Sequence, residues 1–177
     1  ENPHDCIGAV SALLSDDGKF IIEVEYIGSI LKHIQFERFY LDRIFYYSLT
    51  SLKHLFEAHG MAIADVEHIE PHGGSLRAPI QREGKVRSSA RVTALLAEEE
   101  RTLTLGTLQD FRKSVDVQVA AFRDLLAGYK TSGLKVAGYG APARVSTICN
   151  FGDIGPSLVA FTVDDSLLKQ GRFTPGT

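Results

Sequence analysis

Residues 135–144, KVAGYGAPAR, join a short apolar run to the start of a predicted helix through the triplet Gly138-Tyr139-Gly140. Glycine lets the backbone turn tightly and approach a ligand, and the free N–H groups at a helix start attract anions. A dinucleotide-binding loop carries a third glycine about where this chain has Arg144, and an acidic residue about 20 residues later. The stretch therefore predicts either a phosphate-binding loop or an ordinary strand-to-helix turn of an α/β domain.

The segments on either side of this loop predict a small parallel sheet. Residues 107–130 place apolar side chains at helical spacing and predict a long amphipathic helix. A strand, a helix and a second strand are predicted at 134–137, 143–150 and 158–163. This order implies parallel pairing with a right-handed crossover, and ligands bind at the carboxyl ends of such strands. Tyr139 and Asp164 would both lie there.

The amino-terminal half predicts a second region of helices and strands. Its predicted elements are a helix at 5–14, a strand at 19–26, a helix at 48–59 and a strand at 61–70. Glu23 lies among apolar residues of the first strand, where it either points into a cleft or faces water. Pro79 restricts any following strand to a sheet edge or to irregular backbone. The charged residues 83–106 predict a connector between residues 1–82 and 107–177.

An aromatic segment, residues 36–47, precedes the helix predicted at 48–59. Tyr40, Asp42 and Arg43 are interleaved with its rings, which is typical of a pocket that contains a few placed polar groups. The alternative is an aromatic core with Asp42 and Arg43 paired at the surface.

A glycine pair, Gly73-Gly74, follows the strand predicted at 61–70. His72, Ser75 and Arg77 surround it, so three hydrogen-bonding side chains lie beside a backbone that can adopt unusual angles. This cluster predicts either an anion site or a simple hairpin turn.

Composition argues against several classes of function. The net charge is −3 with both signs interspersed, so the sequence shows no basic surface for nucleic acid or for a membrane. Cys6 and Cys149 form no C-x-x-C pair, and we predict buried thiols without a disulfide or a zinc site. No signal peptide and no apolar run of roughly 18 residues is present, which favours a cytoplasmic protein. Both ends look cut, and we interpret the chain as part of a longer protein.

Five motifs, in the same order and at similar spacing, resemble the sugar C-methyltransferase family, which makes branched deoxysugars on nucleotide carriers. The motifs are DGKFIIEVEYIGSIL, FERFYLDRIFYYSLTSL, HGGSLR, GYGAPARVSTICNF and VDDSLLKQGRFTPGT. They span nearly the whole chain, and five ordered motifs are far more specific than any one of them.

This resemblance implies an α/β protein. Residues 1–82 would end a class I methyltransferase domain, and residues 107–177 would form a small Rossmann-like domain. Family members carry a zinc-binding region and the glycine-rich S-adenosylmethionine loop further upstream, so the cofactor would bind largely outside this chain and no metal is expected within it. The expected substrate is a nucleotide-linked keto sugar, and the chain by itself is expected to be inactive.

The resemblance also implies a mechanism, from which this chain departs. In the family, a base removes the acidic proton beside the sugar ketone, and the enolate attacks the methyl sulfonium. The expected base is a histidine where this chain has Arg43. Arginine stays protonated, so we expect Arg43 to stabilise an enolate or to hold an anion. Asp42, Tyr40 or a residue outside the chain would then move the proton.

The other contacts that the resemblance implies lie in three motifs. Tyr139, Gly140 and Ala141 match the family loop, and Arg144 replaces its lysine while keeping the positive charge for a diphosphate. Further expected substrate contacts are Glu23, His72, Ser75 and Arg77, of which the last three serve either the sugar site or a domain junction. The closing segment matches at Asp164, Lys169, Arg172 and Thr174, without an assigned role.

Three functions are compatible with these residues. The leading hypothesis is an S-adenosylmethionine-dependent C-methyltransferase that acts on a nucleotide-linked sugar. The departure at Arg43 also fits a non-catalytic nucleotide-sugar binding protein. A third possibility is a methyltransferase with an oxygen or nitrogen acceptor, which needs no carbanion.

Overall fold

A computed structural model describes residues 2–41 and 43–176. The chain divides into two compact units. Unit 1 comprises residues 1–33 and 45–108, and unit 2 comprises residues 34–44 and 109–177. The structure thus differs from the expected division around a connector at 83–106, because the main boundary follows residue 108 and the short segment 34–44 belongs to unit 2.

Unit 1 combines helices with an antiparallel sheet. Its helices are α1 (Pro3–Leu13), α2 (Ile27–Lys32), α3 (Leu49–Glu57) and α4 (Ala90–Thr102). Its strands are β1 (Phe20–Glu25), β2 (Met61–Ile63), β3 (Glu67–Ile69) and β4 (Ser75–Arg82). β4 pairs with β1 on one side and with β2 and β3 on the other. The helices predicted at 5–14 and 48–59 and the strand predicted at 19–26 are confirmed, whereas the strand predicted at 61–70 is two short strands.

The core of unit 1 lies where β4 meets α3. Leu76, Ala78 and Ile80 point inward at every second position of β4 and are fully buried, as the period of a strand requires. α3 begins at Ser48, whose hydroxyl accepts a hydrogen bond from the Ser51 N–H while the Ser51 hydroxyl accepts one from the Ser48 N–H. The helix buries Leu49, Leu52 and Phe56 against this core.

The charged segment predicted as a connector contains α4. The Ser89 hydroxyl accepts a hydrogen bond from the Val92 N–H and begins this helix. Val92 and Leu95 pack into the core of unit 1, and the carboxylate of Glu99 is buried as well. Charged neighbours concealed this narrow apolar stripe in the sequence.

The expectation that a strand after Pro79 would be an edge strand or irregular is wrong, because Pro79 lies inside β4, a regular strand with partners on both sides. In an antiparallel pair, the N–H and the carbonyl of one residue point to the same side. The Pro79 carbonyl accepts a hydrogen bond from the Ala64 N–H at 2.9 Å, beyond the end of β2 at Ile63 and before β3 begins. The missing N–H of the proline therefore falls in the gap between β2 and β3.

In its described residues, unit 2 combines a helix and most of a longer one, whose residues 105–108 belong to unit 1, with a two-stranded parallel sheet. Its elements are α5 (Leu105–Thr131), β5 (Ala137–Tyr139), α6 (Ala143–Gly152) and β6 (Phe161–Val163). β5 and β6 pair in parallel, as predicted. β5 begins later than predicted, so Gly138 and Tyr139 belong to the strand and the turn starts at Gly140, whose φ is +84°. The long helix and the helix after the turn are confirmed.

The cysteines differ from the prediction of two buried thiols. Cys6 is exposed and Cys149 is partly buried, and both are free. Partial burial raises the pKa of the Cys149 thiol. Within the described ranges, no helix has both the length and the hydropathy needed to cross a membrane.

Candidate functional site

Glu23 and Arg77 form a cross-strand ion pair on the exposed side of the unit 1 sheet. The two residues are directly opposite each other in β1 and β4, and Arg77 Nη2 lies 3.0 Å from Glu23 Oε2. Because both side chains are substantially solvated, the pair contributes about 0.5 kcal/mol to stability. The exposed position of Glu23 agrees with the alternative that it faces water, whereas its ion pair with Arg77 was not predicted.

His72 and Ser75 lie in the turn that leads into β4. The Ser75 hydroxyl is buried and donates to the Pro71 carbonyl at 2.9 Å, while His72 is exposed with a φ of +59°. The Gly74 carbonyl accepts a hydrogen bond from the Tyr26 N–H at 3.2 Å and so ties the turn to the end of β1. These contacts organise the backbone of the turn, as the hairpin alternative predicted.

In unit 2, Asp164 directly follows β6, and its carboxylate binds the loop that follows β5. The Ala141 N–H donates to Asp164 Oδ2 at 2.7 Å, and the Ser166 N–H donates to Oδ1 at 2.9 Å. Lys169 Nζ lies 3.0 Å from Oδ2. The Ala141 amide is the largest of these influences, and together they lower the pKa of Asp164 to about 2. The amide expected to hold a phosphate thus binds a carboxylate of the chain itself.

We expect the carboxyl carbon of Asp164 to titrate in an NMR experiment with a pKa of about 2, instead of the usual 3.8. Since folding lowers this pKa, the stability that the carboxylate contributes is fully present above about pH 4 and is lost as the pH falls through about 2. Replacing Lys169 with alanine removes one of its donors and should raise the midpoint. A wild-type midpoint at the usual value would show that these hydrogen bonds do not form.

Tyr139 and Arg144 lie near this loop but make contacts of their own. The Tyr139 side chain is 79% exposed, and its hydroxyl donates to Asp165 Oδ2 at 2.9 Å. Arg144 Nη1 lies 3.9 Å from Glu37 Oε1, which is the outer limit of an ion pair. Neither residue lines the cleft described next.

A cleft of about 1130 Å³ opens in unit 2 at the carboxyl end of β6. Its walls are residues 39–41, the loop after β5, α6, the chain between α6 and β6, and the chain after β6. Aromatic rings contribute much of the lining, at Phe39, Tyr40, Phe151, Phe161 and Phe173. Polar and charged side chains in the lining include Thr147, Asn150, Thr162, Asp164, Lys169 and Arg172. This combination suits a ligand with both flat apolar and charged parts.

Among the predicted catalytic residues, Tyr40 lines this cleft. The Thr147 hydroxyl donates to the Phe39 carbonyl at 3.4 Å, and so connects α6 to the segment that carries Tyr40. Arg43 is partly buried, and its N–H donates to the Tyr40 carbonyl at 3.1 Å in a tight turn. Asp42 lies outside the described residues.

The structure therefore brings Tyr40 and Ala141 to one cleft, together with Asp164, Lys169 and Arg172. Asp164 was expected at the carboxyl end of the final strand, where ligands bind, whereas Lys169 and Arg172 were named only because they match the closing motif of the family. In the described ranges, no group of three or more His, Cys, Asp or Glu side chains is placed to hold a metal ion.

Comparison with known proteins gives two further findings. Residues 70–177 match the model of a protein family described as the C-methyltransferase C-terminal domain. The chain is also similar to the C-methyltransferase NovU of Streptomyces niveus, with 36% identity over 179 residues. That similarity covers 98% of this chain and 42% of NovU, so the chain spans less than half the length of this curated relative.

Proposed function

Because the chain belongs to the family of C-methyltransferase C-terminal domains, we propose that the protein is a C-methyltransferase whose acceptor is a nucleotide-linked keto sugar and whose methyl donor is S-adenosylmethionine. The observation that carries this proposal is the similarity to a C-methyltransferase along nearly the whole chain. The sugar acceptor is supported by the five ordered motifs and by a cleft that combines aromatic and charged side chains.

In this proposal, unit 1 is the end of a class I methyltransferase domain and unit 2 is a small Rossmann-like domain that holds the acceptor. The protein acts in the cytoplasm on a small molecule, without nucleic acid or a membrane as partner. The expected zinc-binding region belongs to sequence upstream of this chain.

S-adenosylmethionine supplies an electrophilic methyl group when it is bound. The paired strands among the described residues of unit 1 are all antiparallel. They do not build the edge of parallel strands at which such a cofactor binds. The described residues of unit 1 therefore do not fit the donor, and we assign it no contact there.

A role for Tyr40 on the acceptor is supported by its position in the cleft lining and by the ability of a phenol to hold or transfer a proton. Removing the C–H proton beside the ketone leaves the electron pair shared between that carbon and the carbonyl oxygen. Arg43 is not among the residues that line the cleft, so a role for its guanidinium on this oxygen stays a prediction of the resemblance. Asp42 stays a candidate for the base.

The function is tested by incubating the full-length protein with S-adenosylmethionine and a panel of 4-keto sugars on TDP, UDP and GDP. We expect one acceptor to gain a methyl group on carbon, identified by mass and by NMR of the new carbon–carbon bond. Methyl transfer to oxygen or nitrogen would instead establish the third hypothesis. Absence of binding to both S-adenosylmethionine and every sugar nucleotide would contradict the proposal.

Replacing Tyr40 with phenylalanine is expected to lower kcat by about 100-fold, the usual effect of removing one hydroxyl that acts on developing charge. KM should change little, because the ring that lines the cleft is kept. Tyr139→Phe is the matched control, since it removes an exposed hydroxyl that already donates to Asp165, and its kcat should stay within about twofold of wild type. Equal rates for the two variants would remove Tyr40 from the mechanism.

A second candidate function is a nucleotide-sugar binding protein that catalyses no reaction. It is suggested by Arg43, because arginine stands where the family has its base. This candidate predicts tight binding of a sugar nucleotide by the full-length protein and no labelled product with any acceptor. Turnover by wild type that is lost in the Tyr40 variant would exclude it.

A further inference from the structure

The charge balance of the unit 2 cleft singles out one side chain. Three residues with full charges line it, namely Asp164, Lys169 and Arg172. Lys169 and Asp164 neutralise each other at 3.0 Å. Among the residues that the structure describes, none accepts a hydrogen bond from the Arg172 guanidinium, and only its backbone N–H is engaged, by the Lys169 carbonyl. The cleft therefore has one unmatched positive charge, at Arg172.

The same contacts disfavour the loop after β5 as the place where a phosphate binds. The Ala141 amide already donates to Asp164, and a phosphate brought there would meet the negative charge of that carboxylate at close range. Arg144 does not line the cleft, and its Nη1 lies 3.9 Å from Glu37 Oε1.

We infer that Arg172 binds the diphosphate of the nucleotide-linked acceptor, a role that rests on the proposed function. A guanidinium presents paired N–H donors that match two phosphoryl oxygens. Its position in the cleft lining places the diphosphate against the segment after β6. The phosphate contact thus moves from the expected Arg144 and Ala141 to a residue of the closing motif.

The test is calorimetric titration of the full-length protein with TDP, UDP and GDP, each beside its nucleoside. Arg172→Ala should weaken binding of the preferred diphosphate at least tenfold while leaving the affinity for the nucleoside unchanged. Arg172→Lys keeps the charge without the paired donors and should fall between wild type and the alanine variant. Arg144→Ala should change the affinity less than twofold. Arg101→Ala, an exposed arginine of α4, controls for loss of a surface charge.

An unchanged affinity in Arg172→Ala overturns the inference. A larger loss in Arg144→Ala also overturns it and returns the diphosphate to the loop after β5. Absence of saturable binding of every diphosphate by wild type up to roughly 1 mM also overturns it. These outcomes are distinct from a failure of the proposed function. Arg172-dependent binding without methyl transfer would leave the inference standing, whereas methyl transfer with an unchanged affinity in Arg172→Ala would leave only the function.

Discussion

Replacing Glu99 with glutamine is expected to lower the free energy of unfolding of unit 1 by about 4 kcal/mol. Glu99 is 2% exposed, and its carboxylate accepts hydrogen bonds from the first turn of α3. The Leu49 N–H donates to Oε1 at 2.6 Å, and the Thr50 N–H and hydroxyl donate to Oε2 at 2.7 and 2.6 Å. The negative charge also faces the positive end of the helix dipole.

Glutamine has nearly the same shape but turns an NH₂ group toward one of these donors. At least one buried N–H then loses its acceptor, and the interaction with the helix dipole is lost. Burial and the neighbouring Glu99 carboxylate also raise the pKa of Tyr26, whose hydroxyl hydrogen-bonds to it. The substitution therefore disturbs a connection among α3, α4 and the end of β1.

Hydrogen exchange of the α3 amides in increasing urea measures this effect in unit 1 separately from unit 2. Glu98→Gln is the matched control, because Glu98 is the exposed neighbour on the same helix, and its effect should stay below about 0.5 kcal/mol. If both variants protect the α3 amides equally, the Glu99 carboxylate does not stabilise α3.

Replacing Gly74 with alanine is expected to cost about 3 kcal/mol, because two penalties act together. Gly74 has φ +118° and ψ 111°, which residues with a Cβ rarely adopt. A Cβ built there would also collide with the side chain of Ser29, which is buried in α2. The turn would have to move, and the hydrogen bond from the Tyr26 N–H to the Gly74 carbonyl would be lost.

Gly60→Ala separates the two penalties. Gly60 also has a positive φ, +64°, but a Cβ there meets nothing within 4 Å, so only the backbone cost of about 1 kcal/mol remains. In the double variant Gly74→Ala with Ser29→Gly, the colliding atoms are absent, and the loss should be smaller than the sum of the two single losses. Strict additivity in urea unfolding would show that crowding by Ser29 is not the cause.

The sequence predicted the elements whose signals are local. Gly138-Tyr139-Gly140 between an apolar run and a helix was sufficient for the parallel pair β5 and β6, and the apolar spacing of 107–130 for α5. Local rules failed where the outcome depends on a distant partner. Pro79 is tolerated in β4 only because β2 ends and β3 has not begun opposite it. The apolar stripe of α4, Val92 and Leu95, packs against a core built by residues distant in sequence.

The candidate site shows the same division. Tyr40 and Asp164 were identified from their neighbours in sequence, and both line the cleft. The hydrogen bond from the Ala141 N–H to Asp164 joins the loop after β5 to the residue after β6. No spacing rule predicts it. Glu23 and Arg77 were chosen separately as substrate contacts, whereas the register of β1 and β4 places them opposite each other as an ion pair.

The two units cannot be separated by one cut in the chain. Residues 34–44 belong to unit 2 although they are flanked on both sides by unit 1, so a shortened protein that begins at residue 109 lacks Phe39 and Tyr40, one wall of the cleft. The region matched by the family model, residues 70–177, omits the same wall. Any piece prepared for ligand screening or crystallisation must therefore start before residue 34, and a ribosome completes the cleft only after all of unit 1 has been made.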